Sequence, residues 1–213
     1  MYKSRSVLWE IVFLAAVFFL AFLAGPTPRA AAGEGPSAEA SSQQEILALE
    51  YRLRLARTSA EDAEGREALY LGMIEECPDT EAAQEALWNL AALYLDGFDD
   101  PQEKKAQEVL EYFLNKYPES DWVPQVENRL IWLYEGTDNT ERLLQLYEKI
   151  LQRDMPLSLR LPLALRCAQA WEKAKRPEKA REWYARVIKE AGSKPFPEVA
   201  TAKARLAKTG KKR

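Results

Sequence analysis

Three stretches of the chain can be laid over one another residue by residue, and this self-similarity constrains the fold more than any other feature. Their first halves read Leu87-x2-Leu90-Ala91-x2-Tyr94, Glu127-x2-Leu130-Ile131-x2-Tyr134 and Ala164-x2-Cys167-Ala168-x2-Trp171. Their second halves read Ala106-x3-Leu110-x2-Phe113-x4-Pro118, Leu143-x3-Tyr147-x2-Ile150-x4-Met155 and Ala180-x3-Tyr184-x2-Val187-x4-Gly192. Spacings of three and four place these residues on one face of a helix. The period is 40 residues from Tyr94 to Tyr134 and 37 from Tyr134 to Trp171. A repeat of this length is a supersecondary unit that cannot bury its apolar face alone, so neighbours must stack.

The boundaries agree with helix pairs. Asp79-Thr80-Glu81 and Glu119-Ser120-Asp121 follow a proline and offer N-caps and favourable charge at a helix start. Pro101, Pro124, Pro162 and Pro177 fall near expected helix starts, where a missing N–H is harmless. Gly97 and Gly136 stand where left-handed C-caps are expected. An eroded first unit precedes the three clear ones. On its first helix Ile46, Leu49, Leu53 and Ala56 lie on one face, without a clear register; its second runs from about Asp62 to Glu76, with Tyr70 and Met73 inward. A last helix from about Pro197 to Lys208 caps the stack. The expected fold class is all-α, a right-handed superhelical solenoid of about four antiparallel helix pairs, with a C-terminal capping helix and an N-terminal hydrophobic segment.

The N-terminus is a different material. Lys3 and Arg5 precede an uninterrupted apolar run from Ile11 to Ala24, the charge pattern of an export signal or an uncleaved anchor. From Val7 to Ala24 is 18 residues, about 27 Å of helix, short for a span. Small residues for cleavage lie at Ala30-Ala31-Ala32, while a cut after Gly25 would meet Pro26. Both outcomes stay open, and both send the folded part across the membrane. Leu23-Ala24-Gly25 resembles a bacterial lipoprotein signal, but Pro26 stands in the place of the lipidated cysteine. The organisation is then 1–24 signal peptide or membrane anchor, 25–44 flexible linker, 45–208 repeat domain and 209–213 basic tail.

Chemistry is sparse. There is no histidine, which removes the commonest general base and metal ligand together. P-loop, GxSxG, CxxC and HExxH patterns are absent. Carboxylate pairs such as Glu75-Glu76 and Asp99-Asp100 read as acidic helix ends. The chain is expected to be no enzyme and to need no cofactor or metal. Cys77 and Cys167 lie two repeats apart; helix layers stack at about 8–10 Å and a disulfide needs Cα atoms within about 7 Å, so both are expected as free core thiols. A net charge of −3 on an exported chain argues against nucleic acid. Charge is polarised, however. Residues 34–156 hold 11 Lys and Arg against 27 Asp and Glu, whereas 157–213 hold 16 against 5. Ordinary solvated faces explain this, and so does an electrostatically polar rod that associates with itself in a salt-sensitive manner.

The spacing Leu/Trp-x2-Leu-small-x2-Tyr, followed by Ala-x3-aromatic and Pro, resembles the tetratricopeptide repeat (TPR). The likeness spans residues 45–208 and is best from Trp171 to Ala180 and in Arg176-Pro177-Glu178-Lys179-Ala180-Arg181. The period is longer than the family's usual 34, and bulky Ile131 and Leu143 replace small residues, so the third unit is expected to splay. Leu114-Asn115-Lys116-Tyr117-Pro118-Glu119-Ser120 is similar to bacterial envelope members of the family, the Tol-Pal-associated coordinator of cell division and the outer-membrane assembly lipoprotein type. Ala202-Lys203-Ala204-Arg205-Leu206 resembles the end of the first group.

The resemblance implies a non-catalytic protein-interaction scaffold, periplasmic or anchored in the inner membrane with its repeats outside the cytoplasm, the membrane being met through residues 7–24 if these are retained. It also implies a concave groove lined by the first helix of each pair. The candidate groove residues are Glu85, Trp88, Ala92 and Leu95; Gln125, Asn128, Trp132 and Glu135; and Leu165, Gln169 and Glu172. This set suits an extended protein or peptide segment with an apolar anchor and basic flanks. One alternative is a membrane-tethered structural or oligomerising spacer without a dedicated peptide ligand; another is an enzyme of unrecognised type.

Overall fold

The structure, a computed structural model, describes residues 38–210. The apolar run of residues 7–24, most of the tether and Lys211 to Arg213 lie outside the described residues. Among the described residues are nine α-helices and no strand: α1 Ala38–Arg57, α2 Ala63–Glu76, α3 Glu81–Asp96, α4 Glu103–Lys116, α5 Val123–Gly136, α6 Thr140–Leu151, α7 Leu157–Lys173, α8 Pro177–Ala191 and α9 Pro197–Gly210. From α2 onward each helix packs on its neighbours in sequence, and α9 also reaches α7. This consecutive packing is the helical solenoid expected from the repeat.

The register residues form its core. Ala106, Leu110, Phe113, Tyr147, Ala180, Tyr184 and Val187 are fully buried, with Leu90, Ala91, Leu130, Ile131, Cys167 and Ala168 facing them. Alanine at 91, 106, 168 and 180 brings helices close, and the larger rings fill the gaps. Trp171 is half-buried against this core. The α5–α6 pair makes fewer close backbone approaches than α3–α4 or α7–α8, which agrees with bulky Ile131 and Leu143 at positions where the other units carry alanine. Replacing Ala180 by Leu should destabilise by about 1–3 kcal/mol through overpacking; an unshifted denaturant midpoint would show that this contact has room to spare.

The repeat is written in the backbone as well. The turns inside successive units close on the register aromatic: the Gln102, Asn139 and Arg176 amides donate to the Tyr94, Tyr134 and Trp171 carbonyls at 2.7, 3.1 and 3.0 Å. Left-handed residues sit in the last two of these turns, at Asp138 (φ 53°) and Lys175 (φ 58°), and at Gly192 (φ 59°). Gly97 and Gly136 do not take the left-handed role expected of them. Gly97 has φ −97°; a Cβ there would run into the Leu93 side chain and carbonyl, so tight packing over α3 excludes a side chain. Gly136 is the last residue of α5.

Thr80 caps α3 through Ala83 N–H (3.2 Å), and Asp62 caps α2 through Gly65 N–H (2.9 Å). Glu119-Ser120-Asp121 supplies no side-chain N-cap; the turn runs on, Ser120 Oγ accepts from Trp122 N–H, and α5 starts at Val123 with Pro124 in its first turn. Pro177 opens α8. Pro162 is a correction: α7 begins earlier, after Pro156, and leaves Pro162 inside the helix, where one backbone hydrogen bond is lost.

The first helix differs most. It starts at Ala38, inside the stretch read as linker, and turns its other face inward. Ala48 and Tyr51 are buried and Leu47 and Leu55 pack behind them, whereas Ile46, Leu49, Leu53 and Ala56 are exposed. The cause is Gly72 of α2. The Tyr51 ring lies so close over it that a Cβ would stand 2.6 Å from the hydroxyl, and that hydroxyl donates to Glu76 at 2.9 Å. Gln44 adds a side-chain carbonyl that accepts from Asp79 N–H at 3.2 Å. Cys77 and Cys167 are free and fully buried, and burial pushes the Cys167 thiol up to about 12.

Candidate functional site

A recurring clasp fixes which acidic side chains remain available on the surface. Tyr94 donates its hydroxyl to Glu67 at 2.6 Å, and Lys105 of the next helix pairs with the same carboxylate at 3.3 Å. Tyr134 donates to Glu111 at 2.6 Å, and Arg142 closes on that carboxylate. Tyr147 donates to Glu135 at 3.0 Å with Arg166 at 2.9 Å, and Tyr184 donates to Glu172 at 2.8 Å with Arg205 at 3.4 Å. Burial first, then the bonded Glu111 carboxylate, pushes the Tyr134 hydroxyl well above its usual 10. Burial does the same for Tyr147 and, with Glu172, for Tyr184. Neutral tyrosine here is a donor locked to an ionised acceptor.

Two of the candidate groove residues, Glu135 and Glu172, are therefore members of clasps. A third, Glu85, pairs with Arg52 at 2.7 Å. All three acidic edges already hold an arginine of this chain. Basic flanks of a ligand would meet these carboxylates already paired.

Five other candidates come together. Trp88 and Leu95 of α3, with Gln125, Asn128 and Trp132 of α5, line one open concavity of about 530 Å³, to which Asp96 and Arg129 also contribute. On α5 the lining residues Gln125, Asn128 and Trp132 recur at three and four positions, and on α3 Trp88 and Leu95 lie seven apart, two turns along the same face. The two indoles differ in role. Trp88 is half-buried, its ring edge-on to Trp122 at 5.9 Å between centroids and covered by the Arg129 guanidinium at 4.8 Å. That places an Arg–π contact over an indole held from below. Trp132 projects freely, 62% exposed, with Gln125 and Asn128 exposed beside it.

Leu95 is buried at the floor and Ala92 half-buried. Leu165 packs on the core of α7 and Gln169 is exposed there; neither lines this concavity. Asp96 and Arg129 were missed by the register, although each directly follows a register candidate, Leu95 and Asn128. Chemically, the site offers the exposed Trp132 indole, the Trp88 ring capped by Arg129, two side-chain amides and one charge of each sign. It can grip an apolar group and hydrogen-bond an extended backbone. Among the described residues no cluster of metal-ligating side chains forms, and no helix is long and apolar enough to cross a membrane.

No protein-family model matches the sequence, and no curated protein matches it significantly. Solved structures do. The crystal structure of a Podosopora anserina protein described as a kinesin light chain with nearly identical TPR-like repeats superposes over 79% of this chain and 86% of that one. The TM-score is 0.52 and the identity 15%. A variant of that protein superposes over 82% and 87%, with the same score and identity. At this identity the likeness concerns the fold: the chain has a TPR-like helical-repeat architecture.

Proposed function

We propose that this chain is a non-catalytic interaction scaffold whose TPR-like repeats hold an extended peptide or protein segment across the concavity between α3 and α5. The observation that carries this reading is Trp132, a large indole left 62% exposed beside a second indole fixed from below. Binding energy in such contacts concentrates in a few aromatic and arginine side chains. The ligand's main feature is an apolar or aromatic anchor seated between Trp88 and Trp132. Gln125 and Asn128 meet its backbone, and Asp96 and Arg129 each meet one opposite charge.

The setting we propose is the cell envelope, exported or anchored through residues 7–24, with the repeats outside the cytoplasm. This rests on the basic start at Lys3 and Arg5 and the apolar run that follows, and on the resemblance to envelope repeat proteins.

Selection of a displayed random-peptide library on the protein tests the groove. Selected peptides should share an aromatic or large apolar residue. The Trp88→Ala/Trp132→Ala double variant should bind them at least about thirtyfold more weakly, about 2 kcal/mol, with its helical content retained. Unfolding of the double variant would make both indoles core residues and remove the groove.

A further inference from the structure

The solenoid has two unlike ends. At the C-terminal end α9 buries Ala202 and turns Lys203, Ala204, Ala207 and Lys208 outward. Among the described residues it exposes no large apolar side chain. This is the polar outer face that the end of a repeat stack requires. At the other end α1 exposes Ile46 (63%), Leu49 (57%) and Leu53 (51%) on the side opposite buried Ala48 and Tyr51. Exposed Ala56 extends the row. The spacing of three, four and three is that of a helix–helix seam.

We propose that the protein dimerises through this end, α1 of one copy packing antiparallel on α1 of a second copy. This inference does not rest on the groove between α3 and α5. Three arguments select a second copy and this orientation.

The first is symmetry. The C-terminal end offers no apolar counterpart, so a head-to-tail contact would leave the stripe facing lysines, whereas an isologous contact uses the same stripe twice.

The second is charge along α1. Glu45 and Glu50 flank the N-terminal half of the stripe, and Arg52 and Arg57 flank its C-terminal half. A parallel pair would set Glu45 against Glu50 and Arg52 against Arg57. An antiparallel pair with Ile46 of one copy against Leu49 of the other brings Glu45 beside Arg52, twice by symmetry. Arg52 already holds Glu85 at 2.7 Å, yet half its side chain is exposed, and a guanidinium has five donors.

The third argument is against the other occupants. A bilayer-surface helix carries Lys and Arg along its whole polar face, where this one sets Glu39, Glu45 and Glu50 before its three arginines. The chain's own apolar run from Ile11 to Ala24 has no charge with which to answer Glu45 or Arg52.

Sedimentation velocity of the full chain over a range of concentrations tests the proposal. The wild type should show a monomer–dimer equilibrium. The Leu49→Glu/Leu53→Glu variant should weaken it at least about a hundredfold, since it sets four carboxylates along the seam, two of them directly against Ile46. At concentrations where both proteins are monomeric its thermal unfolding should match the wild type, because both positions are exposed in the monomer. Cysteine placement reads the orientation, and the two native thiols are fully buried and silent. A mixture of Ile46→Cys and Leu49→Cys chains should form disulfide-linked dimers, whereas Ala56→Cys alone should not. A wild type that stays monomeric overturns the proposal, whether a bilayer or the chain's own N-terminus covers the stripe. A dimer that survives Leu49→Glu/Leu53→Glu overturns it too, in favour of another surface such as contact between the acidic and basic halves. A self-linked Ala56→Cys dimer overturns the antiparallel arrangement.

Discussion

Raising the pH from 10 towards 12 should unfold the repeat domain cooperatively. A free tyrosine ionises near 10, and in the folded chain Tyr134, Tyr147 and Tyr184 are held above that value by burial and by their carboxylate partners. Below pH 10 both folded and unfolded chains keep these protons, and the stabilising contribution is fully present. Above it the unfolded chain releases protons that the folded chain retains, so stability falls as pH rises. The slope is about 1.4 kcal/mol per pH unit for each such tyrosine. Three of them remove about 4 kcal/mol per unit, against a total of about 5–15 kcal/mol for a typical domain. Tyr117, its hydroxyl pushed up to about 12 by burial, adds to the slope. Circular dichroism and phenolate absorbance should therefore change together. Phenolate appearing while helicity persists would mean that these hydroxyls ionise in the folded state and that the clasps are dispensable. Tyr134→Phe should make the transition shallower, because one linked proton is gone.

Those clasps also mark where the sequence stops being readable. Ala91, Leu110, Tyr147 and Tyr184 announce themselves because helix packing repeats, and a repeat turns weak spacing into a strong pattern. The partnership of Glu111 with Tyr134 and Arg142 has no such signature. It joins three different helices, and only their stacking brings the groups together. The α1 face fails for another reason. Two apolar rows lie on opposite sides of that helix, both at helical spacing, and Ile46, Leu49 and Leu53 are the more hydrophobic. The choice belongs to Gly72, a residue on a different helix whose missing side chain admits Tyr51.

The candidate site was half legible for the same reason. Trp88, Leu95, Gln125, Asn128 and Trp132 follow from the register and meet in one concavity. Glu85, Glu135 and Glu172 share that register but are held elsewhere by Arg52, Arg166 and Arg205. Charge pairing between helices is decided by long side chains, which periodicity does not constrain.

Removing Arg153 should destabilise the protein far more than removing an ordinary surface arginine. Glu127 stands where the other units carry Leu87 and Ala164, and it is buried at 4% exposure. Arg153, two residues past the end of α6, grips it with two parallel bonds, Nη1 to Oε2 at 2.8 Å and Nη2 to Oε1 at 2.6 Å. Arg160 steadies that turn by donating to the Arg153 carbonyl at 2.7 Å. A carboxylate left alone in this position has lost its hydration and its counter-charge together. Breaking a fully buried pair costs about 3–5 kcal/mol. Solvent reaches the guanidinium here, its side chain being 42% exposed, so Arg153→Met should cost about 2–3 kcal/mol. The pair itself contributes much less than that penalty, since desolvation opposes its attraction. Glu127→Leu/Arg153→Met, which restores the residue type of the first unit, should therefore return to within about 1 kcal/mol of the wild type. Chemical denaturation of the two variants measures both quantities. Equal losses in the single and double variants would show that the ion pair stabilises this repeat in its own right, and that Glu127 is more than a tolerated intruder in an apolar register.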